Sequence, residues 1–372
     1  MNYSFEEITI RDLTEWVESK KIDLNPSYQR NFIWSTKDQS ELVDTILKGF
    51  PLPSFFIYIK PSGEFEMVDG QQRTTTIYNF VKGKINSTNE FNKTNFAGVN
   101  REVLEYKLPI IFIKDIDKPE LLNEFYVLIN KKGKHLNIPE VNKSAYHDKL
   151  FLKLANEVLT YQEFIDLNLF TEATARRMND RGYAEELLAY LQVGVKEKRN
   201  SVKTLLEDDI SEEEYEILKQ DFQRIIDKIH KLNAFYPLKS TRYKQKNDFY
   251  TLFSYINENM DLEDDIMLYQ YRILLLLNKE DSDGRQFIRP SNEDCAPLKE
   301  YAINCVSQSN SKAARHKRLD FFNSILKNRD LNKNETLKEV LVFLSNIYDP
   351  SGIGIKKING YELIDLELLL DE

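Results

Sequence analysis

Within the run VDGQQRTTTIYNF, Val68–Phe80, the block DGQQRTTT brings one carboxylate, a glycine, two amides, a guanidinium and three hydroxyls together where an apolar strand-like segment gives way to a helix-like one. Such a junction leaves the first N–H groups of the helix without intrahelical partners, and the helix dipole adds partial positive charge there. It is therefore a place where an anion can dock. Gly70 lets backbone approach a ligand, Arg73 offers a planar fork to phosphate oxygens, and Thr74, Thr75 and Thr76 add hydroxyl donors. Asp69 is the odd member, because a carboxylate beside a phosphate repels it unless a metal ion such as Mg²⁺ lies between them or the acid acts as a base. Gln71 and Gln72 have the right groups to orient a water or read a base edge. The plainer alternative is an Asp-Gly turn followed by a solvated helix start.

Two other polar groups of residues invite the same question. PSYQRNFIW sets Tyr28, Gln29 and Arg30 in an extended segment between two apolar-periodic helices; an arginine among aromatics is also a common surface stack. FYVLINKKGKHLN carries Lys131, Lys132, Lys134 and His135, either a lip for phosphate or nucleic acid or a solvated basic loop. KAARHKR, residues 312–318, reads as a basic helical patch. The sequence contains no G-x-x-x-x-G-K-[ST] and no G-x-G-x-x-G, so neither familiar phosphate loop is in play. Four histidines fall at no zinc spacing, and Cys295 and Cys305 suggest buried or idle thiols.

The elements that must position these residues follow from periodicity. Leu13, Trp16 and Val17 lie on one helical face, and Leu42, Val43, Ile46 and Leu47 form a second stripe stopped by Gly49 and Pro51. SFFIYIK and EFEMVD read as a hairpin joined by PSG, LPIIFIK as a short buried strand, and Pro119–Ile129 as a helix. Asn137 and Glu140 stand at capping-box spacing, as do Ser211 and Glu214. After about residue 150 nearly everything is helical. The predicted division is a mixed α+β domain over 1–150 and a mostly α-helical domain over 151–372.

The chain has 372 residues, 41% hydrophobic and 30% charged, an ordinary globular balance. Its net charge of −9 argues against a broad, non-specific grip on nucleic acid. The excess is uneven: residues 1–150 carry 20 Lys and Arg against 21 Asp and Glu, and the rest carry 31 against 39. A polyanion site belongs more naturally in the first part. No apolar run is long enough for a membrane span and the start lacks a secretory pattern, so a cytoplasmic protein with no membrane partner is expected.

LNPSYQRNFIW, LVDTILKGFPLPSFFIY, MVDGQQRTTTIYNF and FYVLINKKGKHLNIPE, in that order, resemble the N-terminal domain of the GmrSD-type modification-dependent restriction proteins, a domain similar to the ParB and sulfiredoxin nucleotide-binding fold. The likeness covers about residues 5–150, and RRMNDRGYAEELLAYL is similar to the helical segment that follows. It implies a protein of restriction or phage defence that binds and hydrolyses a nucleoside triphosphate (GTP, ATP or CTP) with Mg²⁺. Carried over, Asp69, Gly70, Gln71, Gln72 and Arg73 form the nucleotide site, with Tyr28, Gln29 and Arg30 near it. Asp69 would then hold metal or water, Gln71 or Gln72 would position the attacking water, and Gly70, Arg73 and Thr74 would bind phosphate. DNA is the implied partner, with a separate nuclease or other defence subunit. Two departures stand out: the C-terminal His-Asn-His nuclease signature of many relatives is missing, and Thr74 replaces a commoner leucine. The competing expectations are a non-enzymatic DNA-binding module and a ParB-like nuclease in its own right.

Overall fold

In the computed structural model the described residues are 1–26, 29, 32–87, 101–116, 120–130, 137–196, 198–348 and 353–366. Tyr28, Arg30, Lys131, Lys132, Lys134 and His135 lie outside them. The chain packs as two units, Met1–His147 with Glu172–Asn179, and Asp148–Thr171 with Asp180–Glu372.

The first unit contains β1 (Asn2–Thr9), α1 (Ile10–Glu18), β2 (Ile22–Asp23), α2 (Thr36–Leu47), β3 (Phe55–Ile59), β4 (Phe65–Asp69), α3 (Gln71–Val81), β5 (Lys107–Lys114), α4 (Glu120–Asn130) and α5 (Ile138–Tyr146). Its mixed sheet has the order β1-β5-β3-β4-β2. β1 runs antiparallel to β5, β3 parallel to β5, β4 antiparallel to β3, and β2 parallel to β4. Strand alternation sorts the apolar residues to two faces. Ile8, Phe55, Ile57, Met67, Leu108, Ile110 and Phe112 pack with Leu13, Leu42, Ile46 and Ile77 of the helices on one side. Val68 and Ile113 pack with Leu122 and Tyr126 of α4 on the other. Fully burying a side chain such as Ile57 contributes roughly 1.5–3 kcal/mol, so losing the alternation would dissolve the platform under the site.

Local chemistry fixes where the helices begin. Thr9 with Asp12, Ser35 with Asp38, and Asn137 with Glu140 form reciprocal capping boxes that satisfy orphan amides at the starts of α1, α2 and α5. The β3–β4 hairpin turns through Gly63 at φ +84°, closed by Lys60 N–H to the Glu64 carbonyl at 2.9 Å. β4 continues past a bulge: Ile57 pairs with Met67, but Phe56 pairs with Asp69, leaving Val68 as the extra residue.

The second unit is helical over most of its length. Its longer helices are Arg181–Val193, Lys198–Asp208, Glu212–Phe235, Lys246–Asn257, Asp264–Leu277, Ala296–Val306, Lys312–Leu326 and Glu335–Ile347. An antiparallel pair, Ile355–Ile358 with Tyr361–Ile364, supplies its strands. The architecture is thus α+β followed by mostly α, as the patterning predicts. Cys295 and Cys305 are free and buried, and burial pushes their thiols up to about 11 and about 12. Among the described residues no helix is long and apolar enough to cross a membrane.

Candidate functional site

The junction singled out in the sequence is built around Gly70. It is the N-cap of α3 at φ +113°, a left-handed conformation that disfavours any side chain with a Cβ. A Cβ there would also run into the Phe55 ring. The close approach that Gly70 permits is therefore to the neighbouring strand, whatever else enters the cleft. Gly70 has no side chain with which to cap α3, so any ligand of its first turn meets backbone there.

Three glutamines tie the segment carrying Tyr-Gln-Arg to this junction. Gln29, buried, donates from Nε2 to the carbonyls of both Met67 and Val68. Successive carbonyls of a regular strand point in opposite directions, so a single amide reaches both only because the chain is bulged at Val68. Gln72 Oε1 accepts from the backbone N–H of Ile33 at 2.8 Å and of Trp34 at 3.1 Å, while its Nε2 donates to Gln71 Oε1 at 3.0 Å. Gln71 Nε2 in turn donates to Asn25 Oδ1 at 2.7 Å. The chain is thus held at Asn25, Gln29, Ile33 and Trp34. Both amides assigned to a water in the sequence reading have structural partners.

Arg73 is equally committed. Its guanidinium donates to Asp69 Oδ2 at 3.0 Å, to the Ser54 carbonyl at 3.1 Å and to the Pro53 carbonyl, and lies 4.3 Å from the Phe55 ring centre. Burial pulls its proton affinity below the ordinary arginine value, and Asp69 opposes that shift. The apparent conflict between an acid and an anion site has a local answer: Asp69 neutralises Arg73. Asp69 stays accessible, with 37% of its side chain exposed against 12% for Arg73.

These residues line a cleft of about 580 Å³ with Gln29, Trp34, Asp38, Glu41, Leu42, Thr45, Pro53, Tyr126 and Ile129. Asp38, Glu41, Leu42 and Thr45 fall at i, i+3, i+4 and i+7 of α2, one helical face. The apolar stripe reveals this helix in the sequence, and the polar residues Asp38, Glu41 and Thr45 beside it carry the signal for the cleft wall. The described wall carries three acids, Asp38, Glu41 and Asp69, against the one arginine. Thr74 does not line the cleft: it is fully buried, and its hydroxyl has no hydrogen-bond partner among the described residues. A fully buried position with no partner for the hydroxyl is one where the leucine of the resemblance is easily understood. Thr76 is buried as well and donates to the Gln72 carbonyl at 2.7 Å. Among the described residues no group of three or more His, Cys, Asp or Glu could hold a metal ion. A Mg²⁺ that arrives with phosphate needs only one or two protein carboxylates, and Asp69 at the cleft wall fits that lesser demand.

A family model described as the N-terminal domain of the GmrSD restriction endonuclease matches residues 13–147. Over these residues the chain is similar to the GmrSD-type N-terminal domain family. Nothing matches among curated proteins or solved structures. The GmrSD-type match takes in the whole junction, α2, the Tyr-Gln-Arg segment and the Lys-rich segment. It stops near the point where the first unit gives way to the second.

Proposed function

We propose that the cleft at the mouth of α3 binds the phosphates of a nucleoside triphosphate and that its hydrolysis serves restriction of foreign DNA. The observation that carries this reading is the glycine start of α3: Gly70, Gln71, Gln72 and Arg73 open on a 580 Å³ cleft, and Gly70 offers no side chain to cap the helix. The family match supports the restriction context. In this reading Asp69 is the residue that touches chemistry, accepting a proton from the attacking water or ligating the ion that accompanies the nucleotide. Bound Mg²⁺ would neutralise charge on the phosphate oxygens. Arg73 positions Asp69, while Gln29, Gln71 and Gln72 position the segment that bears Tyr28 and Arg30. The described wall itself supplies Arg73 as its positive charge against three acids.

The test is nucleoside triphosphate hydrolysis by the full chain with Mg²⁺, compared with Asp69→Ala and Arg73→Ala. Loss in both variants is expected, and equal rates in all three proteins would sink the assignment. Thermal shifts separate the alternatives. Nucleotide at 100 times its Kd stabilises the folded state by about 2.7 kcal/mol. Stabilisation by short DNA duplexes alone, lost steeply with salt, would favour a DNA-binding module instead. Plasmid nicking abolished by Asp69→Ala would mark a nuclease.

A further inference from the structure

The sheet of the first unit ends on β1, whose eight residues pair with β5 on one side and, among the described residues, with no strand on the other. An edge of this length presents a row of open N–H and C=O groups. Soluble proteins usually blunt such an edge with charged side chains, proline or a bulge, and NYSFEEIT has neither proline nor bulge and keeps its charges, Glu6 and Glu7, toward one end. Instead it carries the two most exposed aromatic residues of the described chain, Phe5 at 72% and Tyr3 at 65%. They point to the same face, with ring centres 5.6 Å apart in an edge-to-face contact.

We propose that β1 is the surface through which two copies of this chain pair, antiparallel, about Ser4. The sequence is self-complementary in that register. Ser4 lies opposite Ser4, Tyr3 of each copy lies opposite Phe5 of the other, and Asn2 lies opposite Glu6. Four rings then gather on one face of the joined sheet, where cross-strand aromatic pairs are favourable. Asn2 Nδ2 already donates to Asp115 Oδ2 at 3.0 Å and has a second N–H for the Glu6 carboxylate. Neighbouring registers are worse. Centring on Glu6 sets like charges face to face, and centring on Phe5 sets each Tyr3 against a Glu7 carboxylate. The occupant is a second copy because the strand's own order of residues supplies the matching pattern, and the joined sheet would have ten strands with a two-fold axis through Ser4.

Sedimentation of the full chain across the micromolar range tests the pairing. The unmodified chain is expected as a dimer, and the doubly substituted Tyr3→Lys, Phe5→Lys chain as a folded monomer with an unchanged circular dichroism spectrum, since both side chains are exposed in the single chain. Register is read by cysteine cross-linking under copper phenanthroline, with Cys295 and Cys305 silent because they are buried. Ser4→Cys is expected to give a covalent dimer on a non-reducing gel and Glu7→Cys is not. A monomeric unmodified chain, a dimer that survives the double lysine substitution, or equal cross-linking at positions 4 and 7 would each overturn the proposal.

Discussion

Arg73 with Asp69 in the first unit and Arg242 with Asp248 in the second are assembled from the same parts. Each guanidinium donates to its carboxylate, at 3.0 and 2.7 Å, and to backbone carbonyls, Ser54 and Pro53 in one case and Ile288 in the other. Each also lies over an aromatic ring, Phe55 at 4.3 Å and Tyr301 at 5.3 Å. They differ in what surrounds the acid. Asp248 is fully buried and also accepts from the Tyr301 hydroxyl at 2.9 Å, whereas Asp69 stands at the wall of a cleft. The same joint is thus a core fastening where water is excluded and a candidate site where it is not. Exposure of the carboxylate, more than the identity of the pair, separates the two roles.

The comparison breaks most visibly at Arg242. Removing one partner of a buried pair strands the other charge, so Arg242→Met is expected to destabilise the helical unit by about 3–5 kcal/mol. Urea unfolding followed by circular dichroism measures it. A loss no larger than that of an exposed substitution would mean that Asp248 simply takes up a proton and that the joint is dispensable.

Gly70→Ala comes next, because it adds a Cβ at positive φ and drives it into Phe55. A residue forced into this region costs on the order of 1–3 kcal/mol, and the ring overlap adds to it. Thermal melts of Gly70→Ala and of Gly70→Ala with Phe55→Leu divide the loss. The second change should recover the overlap and leave the backbone share. Full recovery would show that φ at this position costs nothing, and the left-handed cap would lose its importance.

Gln72→Ala probes the tie between the junction and the Tyr-Gln-Arg segment. It leaves the Ile33 and Trp34 amides without their acceptor, a loss of roughly 1–3 kcal/mol. Gln72→Glu keeps that acceptor for both backbone amides while giving up the donation to Gln71, so it should lose less. Hydrogen exchange at Ile33 and Trp34 reads the effect locally. Faster exchange in Gln72→Ala but not in Gln72→Glu is the expected pattern, and equal protection in both would remove the tie.

Much of this was readable from the chain, for identifiable reasons. The hairpin, β5, the capping boxes and the helical run after residue 150 all follow from local pattern, and the contiguous DGQQR block marked the cleft. What escaped was non-local. The bonds from Gln72 to Ile33 and Trp34 cross 39 and 38 residues and leave no periodic trace. Around Ile8 the pattern suggests no more than a short strand or turn, and pairing with β5 is what extends β1 from Thr9 back to Asn2. The helix starts at Gln71, well ahead of its first apolar residue, Ile77, because Gly70 allows the turn. KAARHKR misleads for the opposite reason. Its basic residues suggest a surface patch, yet helical spacing turns Arg315 and Arg318 inward with Leu319 and Phe322. There Arg315 pairs with Glu186 and lies 4.1 Å from the Tyr250 ring centre, and Arg318 donates to Thr251 at 3.0 Å. Composition cannot tell a solvated arginine from one that fastens a core.

The smallest effect on stability is expected at Asp69, and it is the most informative. With over a third of its side chain exposed, the ion pair to Arg73 is screened by solvent and is worth at most about 1 kcal/mol. Asp69→Asn keeps an oxygen acceptor for Arg73 and should melt close to the unmodified chain. Asp248→Asn places an amide against the same kind of guanidinium without solvent and should melt well below it. If Asp69→Asn is folded and stable yet hydrolyses no nucleoside triphosphate, the carboxylate's contribution is chemical. If instead it loses as much stability as Asp248→Asn, the two joints are the same device, and the cleft beside Asp69 only exposes the edge of a structural fastening.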